Sequence, residues 1–166
     1  NNYYQNNLFS NSNALQYLNS RGITKESIDK FQIGYASSSN DTITYLKNNF
    51  FDLNMAKELG VIDSGSNGLY ARFIERITFP IFLQSGKLVG FGGRTISGHN
   101  AKYVNSPATK LFNKSALLFG YNLARDSIYQ SKEIIITEGY LDVVMLHQAG
   151  FVNSVATLGT ALTSQH

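Results

Sequence analysis

Short segments with apolar residues at helical spacing fill the first third of the chain, and strand-like segments follow. This spacing, with its breaks at Gly22 and Gly60, predicts four helices, over 14–20, 25–31, 42–49 and 52–59. Asn13, Thr24 and Asp41 stand where side-chain oxygens cap helix starts. The first ten residues are polar and rich in Asn and Tyr, which predicts a loosely held lead-in.

Beyond a predicted turn at 64–68, the pattern becomes that of strands. The segments 76–82 and 88–94 are rich in β-branched or aromatic residues and flank a turn at 84–87, which predicts a hairpin. Pro80 lies inside the first of them and predicts an edge strand or a strand break, because proline cannot donate to a sheet ladder.

The last part of the chain predicts a βαβ unit with parallel strands. After an extended segment at 102–107 and a helix at 121–130 come a strand, a helix and a second strand, at 133–137, 141–149 and 152–157. We therefore expect the α/β class. An α+β amino-terminal subdomain covers 1–130, and a first βαβ unit covers 131–166, with the boundary near Ser131.

Two carboxylates flank the start of the helix in this βαβ unit. Glu138 comes directly after the short, mainly apolar run 134–137, which we expect to be a buried strand, and Asp142 lies one turn into the helix. In an open α/β sheet, ligands bind at the carboxyl ends of the strands, and Gly139 allows a close approach. Two carboxylates at such a position can hold Mg²⁺, which prefers oxygen ligands.

The segment before this unit is basic and lacks acidic residues. From Arg76 to Arg125 the chain has seven Lys or Arg residues and no Asp or Glu. Such a stretch beside a carboxylate pair indicates a site that handles phosphates with a metal ion, and a solvated basic face is the open alternative.

Within this stretch, the Gly-Phe-Gly-Gly-Arg sequence at 90–94 lacks the spacing of a dinucleotide-binding loop. We interpret its glycines as allowing another chain to come close while Arg94 projects to grip a phosphate, with a bulged strand as the alternative.

A cation, an aromatic ring and an amide occur together in the extended segment 102–107. Lys102, Tyr103 and Asn105 form a set that can neutralise a backbone phosphate and stack a base, and an ordinary surface strand is the alternative. Lys114 has the same two interpretations.

Composition narrows the class of protein only moderately. The chain has 166 residues, a net charge of +3 and a pI near 9.1, which mildly favours an anionic partner. It has no cysteine, which excludes disulfides and thiolate zinc sites within it. Its apolar runs are too short to span a membrane, so no membrane partner is expected. His99, His147 and His166 are not spaced as a metal cluster, and His147 is expected to be structural.

Six blocks of sequence, in order, resemble those of bacterial DnaG-type DNA primases. They are Arg-Ile-Thr-Phe-Pro-Ile at 76–81, Gly-Phe-Gly-Gly-Arg at 90–94, Lys-Tyr-Val-Asn-Ser-Pro at 102–107, Leu-Phe-Asn-Lys at 111–114, Glu-Gly-Tyr-Leu-Asp-Val at 138–143 and Ala-Thr-Leu-Gly-Thr at 156–160. The segments 17–23 and 33–36 resemble the same family, so the likeness covers nearly the whole chain.

The resemblance implies the catalytic core of an enzyme that makes short RNA primers on single-stranded DNA from ribonucleoside triphosphates. It implies Mg²⁺ or Mn²⁺ as cofactor, a bacterial replisome in the cytoplasm as location, and the start of a Toprim domain at 131–166. Glu138 would be the catalytic metal ligand or proton-transfer group, and Asp142 would support the metal. Template or nucleotide phosphates would be contacted by Arg94, Lys102, Tyr103, Asn105, Lys114 and Arg21.

Some parts of the family's pattern are not in this sequence. A second Toprim motif, Asp-x-Asp, the cysteine-bearing zinc module and the helicase-binding part do not occur in it. We therefore expect a piece of the core that is inactive or nearly so, has no zinc, and meets the replicative helicase only through other parts of the parent protein. The alternatives are a non-catalytic module that binds single-stranded nucleic acid or nucleotides, and another Toprim enzyme of the topoisomerase or nuclease kind. The basic blocks argue against the latter.

Overall fold

The computed structural model of the chain describes residues 1–98 and 101–166, so His99 lies outside the described residues. The helices are α1 Asn2–Phe9, α2 Ser12–Ser20, α3 Lys25–Lys30, α4 Ser39–Asn48, α5 Leu53–Glu58, α6 Tyr121–Ser131 and α7 Tyr140–Gln148. The strands are β1 Gly34–Ala36, β2 Ile62–Gly65, β3 Gly68–Ala71, β4 Arg76–Phe82, β5 Leu88–Thr95, β6 Tyr103–Asn105, β7 Ile135–Thr137 and β8 Ser154–Ala156. The expected mixture of helices and strands is confirmed.

The first helix corrects the predicted lead-in. Tyr4 and Leu8 of α1 are buried, and because they are four residues apart they lie on one face of the helix. This face packs on β1, where a Cβ at Gly34 would lie 2.6 Å from the Tyr4 backbone. Apart from Tyr3 and Phe9, the remaining α1 residues are Asn and Gln, which is why the sequence resembles a loose terminus.

The helix caps agree with the sequence at some positions and differ at others. Thr24 caps α3 as predicted, because its hydroxyl accepts from the Ser27 amide at 3.2 Å. Helix α2 begins earlier than predicted, since Asn11 caps it in place of Asn13. Helix α4 is capped by Ser38. Asp41, the third residue of the helix, completes a capping box by accepting a hydrogen bond from the Ser38 amide.

The central sheet has four antiparallel strands in the order β1-β4-β5-β6. Strand β4 is therefore internal, and the prediction that Pro80 marks an edge strand is wrong. Proline is tolerated there because β1 pairs only with the β4 residues Arg76, Ile77 and Thr78, so the ladder on that side ends before Pro80.

The predicted βαβ unit is confirmed, with β7 and β8 parallel. The expectation that its first strand is buried is wrong, because Ile134 and Ile136 are 42% and 41% exposed. Strand β8 is fully buried, whereas β7 pairs only with β8 in the described part of the chain.

One apolar core joins the βαβ unit to the residues before it. It includes Leu18 of α2, Phe79 of β4, Phe119, and Tyr140 and Val143 of α7. The predicted boundary near Ser131 stays a prediction. In residues 1–98 and 101–166, no helix is both long and apolar enough to cross a membrane.

His147 is a structural residue of this core, as predicted. Its Nε2 lies 3.0 Å from the Ser154 carbonyl oxygen and donates to it, and its ring meets the edge of Phe31. Its Nδ1 is buried without a hydrogen-bond partner among the described residues. Burial lowers the pKa of His147, the nearby charge of Lys30 lowers it further, and the bond to Ser154 offsets this in part.

We expect acid to destabilise the chain through His147. Because the pKa of His147 is lower in the folded state, its contribution is present above the unfolded pKa of about 6.5 and is lost as pH falls through the folded pKa. The melting temperature should fall between neutral pH and pH 5, and His147→Gln should flatten that fall. His166→Gln, at a half-buried histidine outside the core, is the matched control. An equally steep fall in His147→Gln would contradict this assignment.

Candidate nucleic-acid interface

The pairing of β5 with β6 places three of the six predicted nucleic-acid-binding residues on one face of the sheet. Arg94 is directly opposite Tyr103, and Gly92 is directly opposite Asn105. Residues opposite each other in an antiparallel pair share a face, as do residues two apart along one strand. The register therefore brings the Arg94, Tyr103 and Asn105 side chains together.

Arg94 is held between aromatic rings, and its contact with a phosphate stays a prediction. It is 9% exposed, and its guanidinium carbon lies 5.2 Å from the Tyr103 ring centroid and 5.5 Å from that of Tyr17. Its Nη1 donates to the Tyr103 hydroxyl. Its Nε is buried and has no hydrogen-bond partner among the described residues.

No carboxylate forms an ion pair with Arg94 in the described part of the chain. The ion pair found there joins Arg125 to Asp126. A second buried cation, Arg76, donates to the carbonyls of Ala101, at 2.9 Å, and Gly93, at 3.4 Å. Burial lowers the pKa of Arg76. Two buried guanidinium groups with no ion-pair partner among the described residues make this end of the sheet electropositive and suited to an anion.

Arg21 joins the same group of side chains through Tyr17. Its guanidinium carbon also lies 5.5 Å from the Tyr17 ring centroid. The two residues are four apart in sequence, the spacing at which helical side chains meet. Arg21, Tyr17, Arg94 and Tyr103 thus form a series that we call the arginine–tyrosine stack.

Asn105 connects this face to the βαβ unit. Its Nδ2 donates to the Leu158 carbonyl at 2.8 Å, and its Oδ1 accepts from the Tyr140 hydroxyl. Both ends of the amide are therefore engaged within the chain. A contact between Asn105 and nucleic acid stays a prediction.

The glycines of β5 make room for aromatic rings of this chain. The interpretation that they let another chain come close is therefore wrong. A Cβ at Gly92 would overlap the Tyr140 ring, and one at Gly93 would lie 2.6 Å from the Phe73 ring. A Cβ at Gly90 would lie 2.6 Å from the Phe112 ring.

Glu138, Gly139 and Asp142 form an exposed loop and helix start, which we call the carboxylate loop. Glu138 follows β7, Gly139 is the N-cap of α7, and Asp142 lies in the first turn, where the helix dipole favours a carboxylate. A Cβ at Gly139 would lie 2.6 Å from Asp142 Oδ2, so glycine leaves space for that carboxylate.

The carboxylate loop offers the oxygen donors that a divalent cation prefers. Neither Glu138 nor Asp142 has a hydrogen bond or ion pair through its side chain in the described part of the chain. No group of three or more His, Cys, Asp or Glu able to hold a metal occurs within residues 1–98 and 101–166. The pair therefore fits a largely hydrated Mg²⁺ or Mn²⁺ ion.

The remaining predicted residues are not drawn into the arginine–tyrosine stack. Lys102 is exposed and Lys114 half-buried, and neither ammonium group has a described partner. Their roles stay predictions.

Sequence reasoning missed Tyr17, Tyr140 and Arg72, whose Nη2 lies 3.4 Å from the Asn105 carbonyl. The four-residue spacing from Tyr17 to Arg21 was the available signal for the first.

We expect Tyr140→Phe to destabilise the chain by about 1 kcal/mol, because it leaves the Asn105 Oδ1 without its donor. Burial raises the pKa of Tyr140, so its hydroxyl stays protonated and able to donate. Urea unfolding measures the loss. Tyr4→Phe is the matched control, because the Tyr4 hydroxyl is buried without a described partner and its removal should be neutral or stabilising. Equal effects of the two changes would show that the Asn105 bond contributes nothing.

Comparison with known proteins identifies the family. The model for the DNA primase catalytic core, N-terminal domain, matches residues 3–125, and that for the Toprim domain matches 132–166. The DNA primase of Helicobacter pylori is 49% identical in a match that covers 98% of this chain and 29% of that protein.

Solved structures agree with this match. The RNA polymerase domain of Mycobacterium tuberculosis primase DnaG, in complex with a double-stranded DNA oligomer with a 6-nucleotide overhang, superposes with a TM-score of 0.92 at 34% identity. The match covers 99% of this chain and 53% of that one. A DnaG primase catalytic domain bound to single-stranded DNA gives 0.89 at 34% identity, over 99% and 53% of the two chains. The chain therefore belongs to the DnaG-type DNA primase catalytic core family, and it spans under a third of the Helicobacter pylori relative.

Proposed function

We propose that this chain is the part of a bacterial DNA primase that holds the single-stranded template and contributes the first carboxylates of the metal site. The observation that carries the proposal is the buried Arg94 guanidinium, which has no carboxylate partner among the described residues. A buried cation without a counter-charge is costly, and a phosphate would supply that charge.

The distribution of charge supports a nucleic-acid ligand over a single small anion. The basic stretch continues through exposed Lys102 and half-buried Lys114, with no acidic residue between Arg76 and Arg125. Tyr103 is partly exposed beside Arg94 and offers a ring face on which a base can stack. The similarity to a catalytic domain bound to single-stranded DNA supports the same ligand.

Primer synthesis is a phosphoryl transfer, which depends on positioning and charge neutralisation more than on covalent catalysis. Glu138, with Asp142 beside it, would hold Mg²⁺ or Mn²⁺, and such an ion activates the attacking hydroxyl and stabilises the pyrophosphate leaving group. Glu138 is alternatively placed to accept a proton, because it is exposed and unpaired among the described residues. Arg94, Lys102 and Arg21 would hold template or nucleotide phosphates.

The wider context follows from this proposal. The parent protein would use ribonucleoside triphosphates, act at the cytoplasmic replisome and meet the replicative helicase through other segments. The primase-core match over 3–125 favours this function over that of other Toprim enzymes. We place the boundary between the basic subdomain, 1–130, and the Toprim start, 131–166, near Ser131.

We expect the chain to bind single-stranded DNA with a strong dependence on salt. Each phosphate contact adds roughly 0.7 to the slope of log K against log salt, so Lys102→Ala and Arg94→Met should each lower the slope by about that amount. Anisotropy of a labelled oligothymidylate at several salt concentrations measures it. Lys57→Ala is the control, because Lys57 is exposed and lies outside the basic stretch. A flat salt response in the unmodified chain would refute template binding.

We expect Mg²⁺ to bind the chain only weakly, with a millimolar Kd or about −4 kcal/mol, because two carboxylates leave most of the shell to water. Calorimetry measures the binding, and Glu138→Gln should remove the heat without changing the melting temperature, since Glu138 is exposed and unpaired among the described residues. Asp126→Asn is the control for a carboxylate elsewhere. Micromolar binding, or binding unchanged in Glu138→Gln, would contradict the assignment.

A further inference from the structure

Tyr17 occupies a position that the proposed function leaves unexplained. Its ring is shared by two arginines, Arg21 and Arg94, whose guanidinium carbons both lie 5.5 Å from its centroid. The Tyr103 ring centroid lies 5.2 Å from the same Arg94 guanidinium carbon. Arg94 is therefore contacted by a ring from helix α2 and by a ring from strand β6.

The fold fixes the Tyr17 ring through its neighbours on α2. Ala14 and Leu18 form the buried face of that helix, and Tyr17, next to Leu18, packs partly buried at the edge of the same core. The Tyr17 hydroxyl is buried and has no hydrogen-bond partner among the described residues. The ring face is thus the part of Tyr17 that contacts the cations, and its hydroxyl contributes no bond.

Aromatic rings hold a cation in a way that a carboxylate cannot. A carboxylate beside Arg94 would fix the guanidinium and cancel its charge, which would remove its attraction for a phosphate. A ring attracts the cation through its quadrupole and leaves the full positive charge in place. Of the five N–H donors of Arg94, one on Nη1 is engaged among the described residues, by Tyr103. The stack therefore positions a guanidinium that is still available to an anion.

We infer that Tyr17 is a positioning residue, which holds Arg94 and Arg21 in the arrangement that receives the phosphates of single-stranded nucleic acid. This inference rests on the proposed function. It assigns Tyr17 no contact with the nucleic acid itself. Removal of the ring should therefore act through the arginines, while removal of the hydroxyl alone should have little effect.

The test compares three variants of the full chain in binding to a labelled oligothymidylate. Tyr17→Leu keeps an apolar side chain but removes the ring, and it should weaken binding about tenfold and lower the salt slope by about 0.7. Tyr17→Phe keeps the ring and should stay close to the unmodified affinity. Tyr129→Leu is the matched control, because it removes an exposed cation–π contact with Lys132 on helix α6.

A double-mutant cycle separates positioning from a general loss of stability. If Tyr17 acts through the two arginines, treated as one member of the cycle, Tyr17→Leu should change affinity less than twofold when Arg94→Met and Arg21→Met are already present. Melting temperatures of all variants identify any that unfold, and Tyr17→Phe then decides alone.

Additive losses in the cycle, or equal losses in Tyr17→Phe and Tyr17→Leu, overturn the inference while template binding stands. If the unmodified chain shows no salt-dependent binding, both the inference about Tyr17 and the proposed template binding are overturned.

Discussion

The packing of the Tyr140 ring against Gly92 is the contact on which the candidate site depends. The ring also stacks on Phe79, with 5.2 Å between ring centroids, and packs edge-to-face with Phe119, with 4.9 Å between centroids. It is therefore held by Gly92, Phe79 and Phe119. Tyr140 is the first residue of α7 and lies within the carboxylate loop, between Gly139 and Asp142. A side chain larger than hydrogen at position 92 would push the ring away, and the helix start carrying Glu138 would move with it.

The electrostatics of the site follow from the same sheet. Buried arginines are ordinarily paired with carboxylates, whereas Arg76 is satisfied by backbone carbonyls and Arg94 by rings and one hydroxyl. Carbonyls and rings offset the cost of burial without cancelling the charge. The acid-free stretch of sequence is therefore more than a solvated basic face, because two of its cations are held within the fold.

The sequence predicted local structure well. It predicted poorly which residues are buried by parts of the chain that are distant in sequence. Thr24 as a cap, the β4–β5 hairpin and the parallel βαβ unit depend on neighbouring residues, and the structure contains all three. The burial of Arg94 depends on α2, far away in sequence, and no pattern around residue 94 encodes it. Helix α1 was missed because Tyr4 and Leu8 are its only buried residues and Asn and Gln fill most of its other positions. The exposure of β7 depends on which strands pair with it, which its apolar run does not specify.

The two functional features are both anchored to the β5–β6 strand pair. Arg94 opposite Tyr103 holds the arginine–tyrosine stack, and Gly92 opposite Asn105 receives Tyr140 and with it the carboxylate loop. These two cross-strand pairs are two residues apart on the same face, a separation of about 7 Å along the strands. Sites built on strands hold their geometry better than sites built on loops. The β5–β6 register thus ties the place where a phosphate would be gripped to the place where a metal would be held, and a shift of one residue would turn both groups to the opposite face.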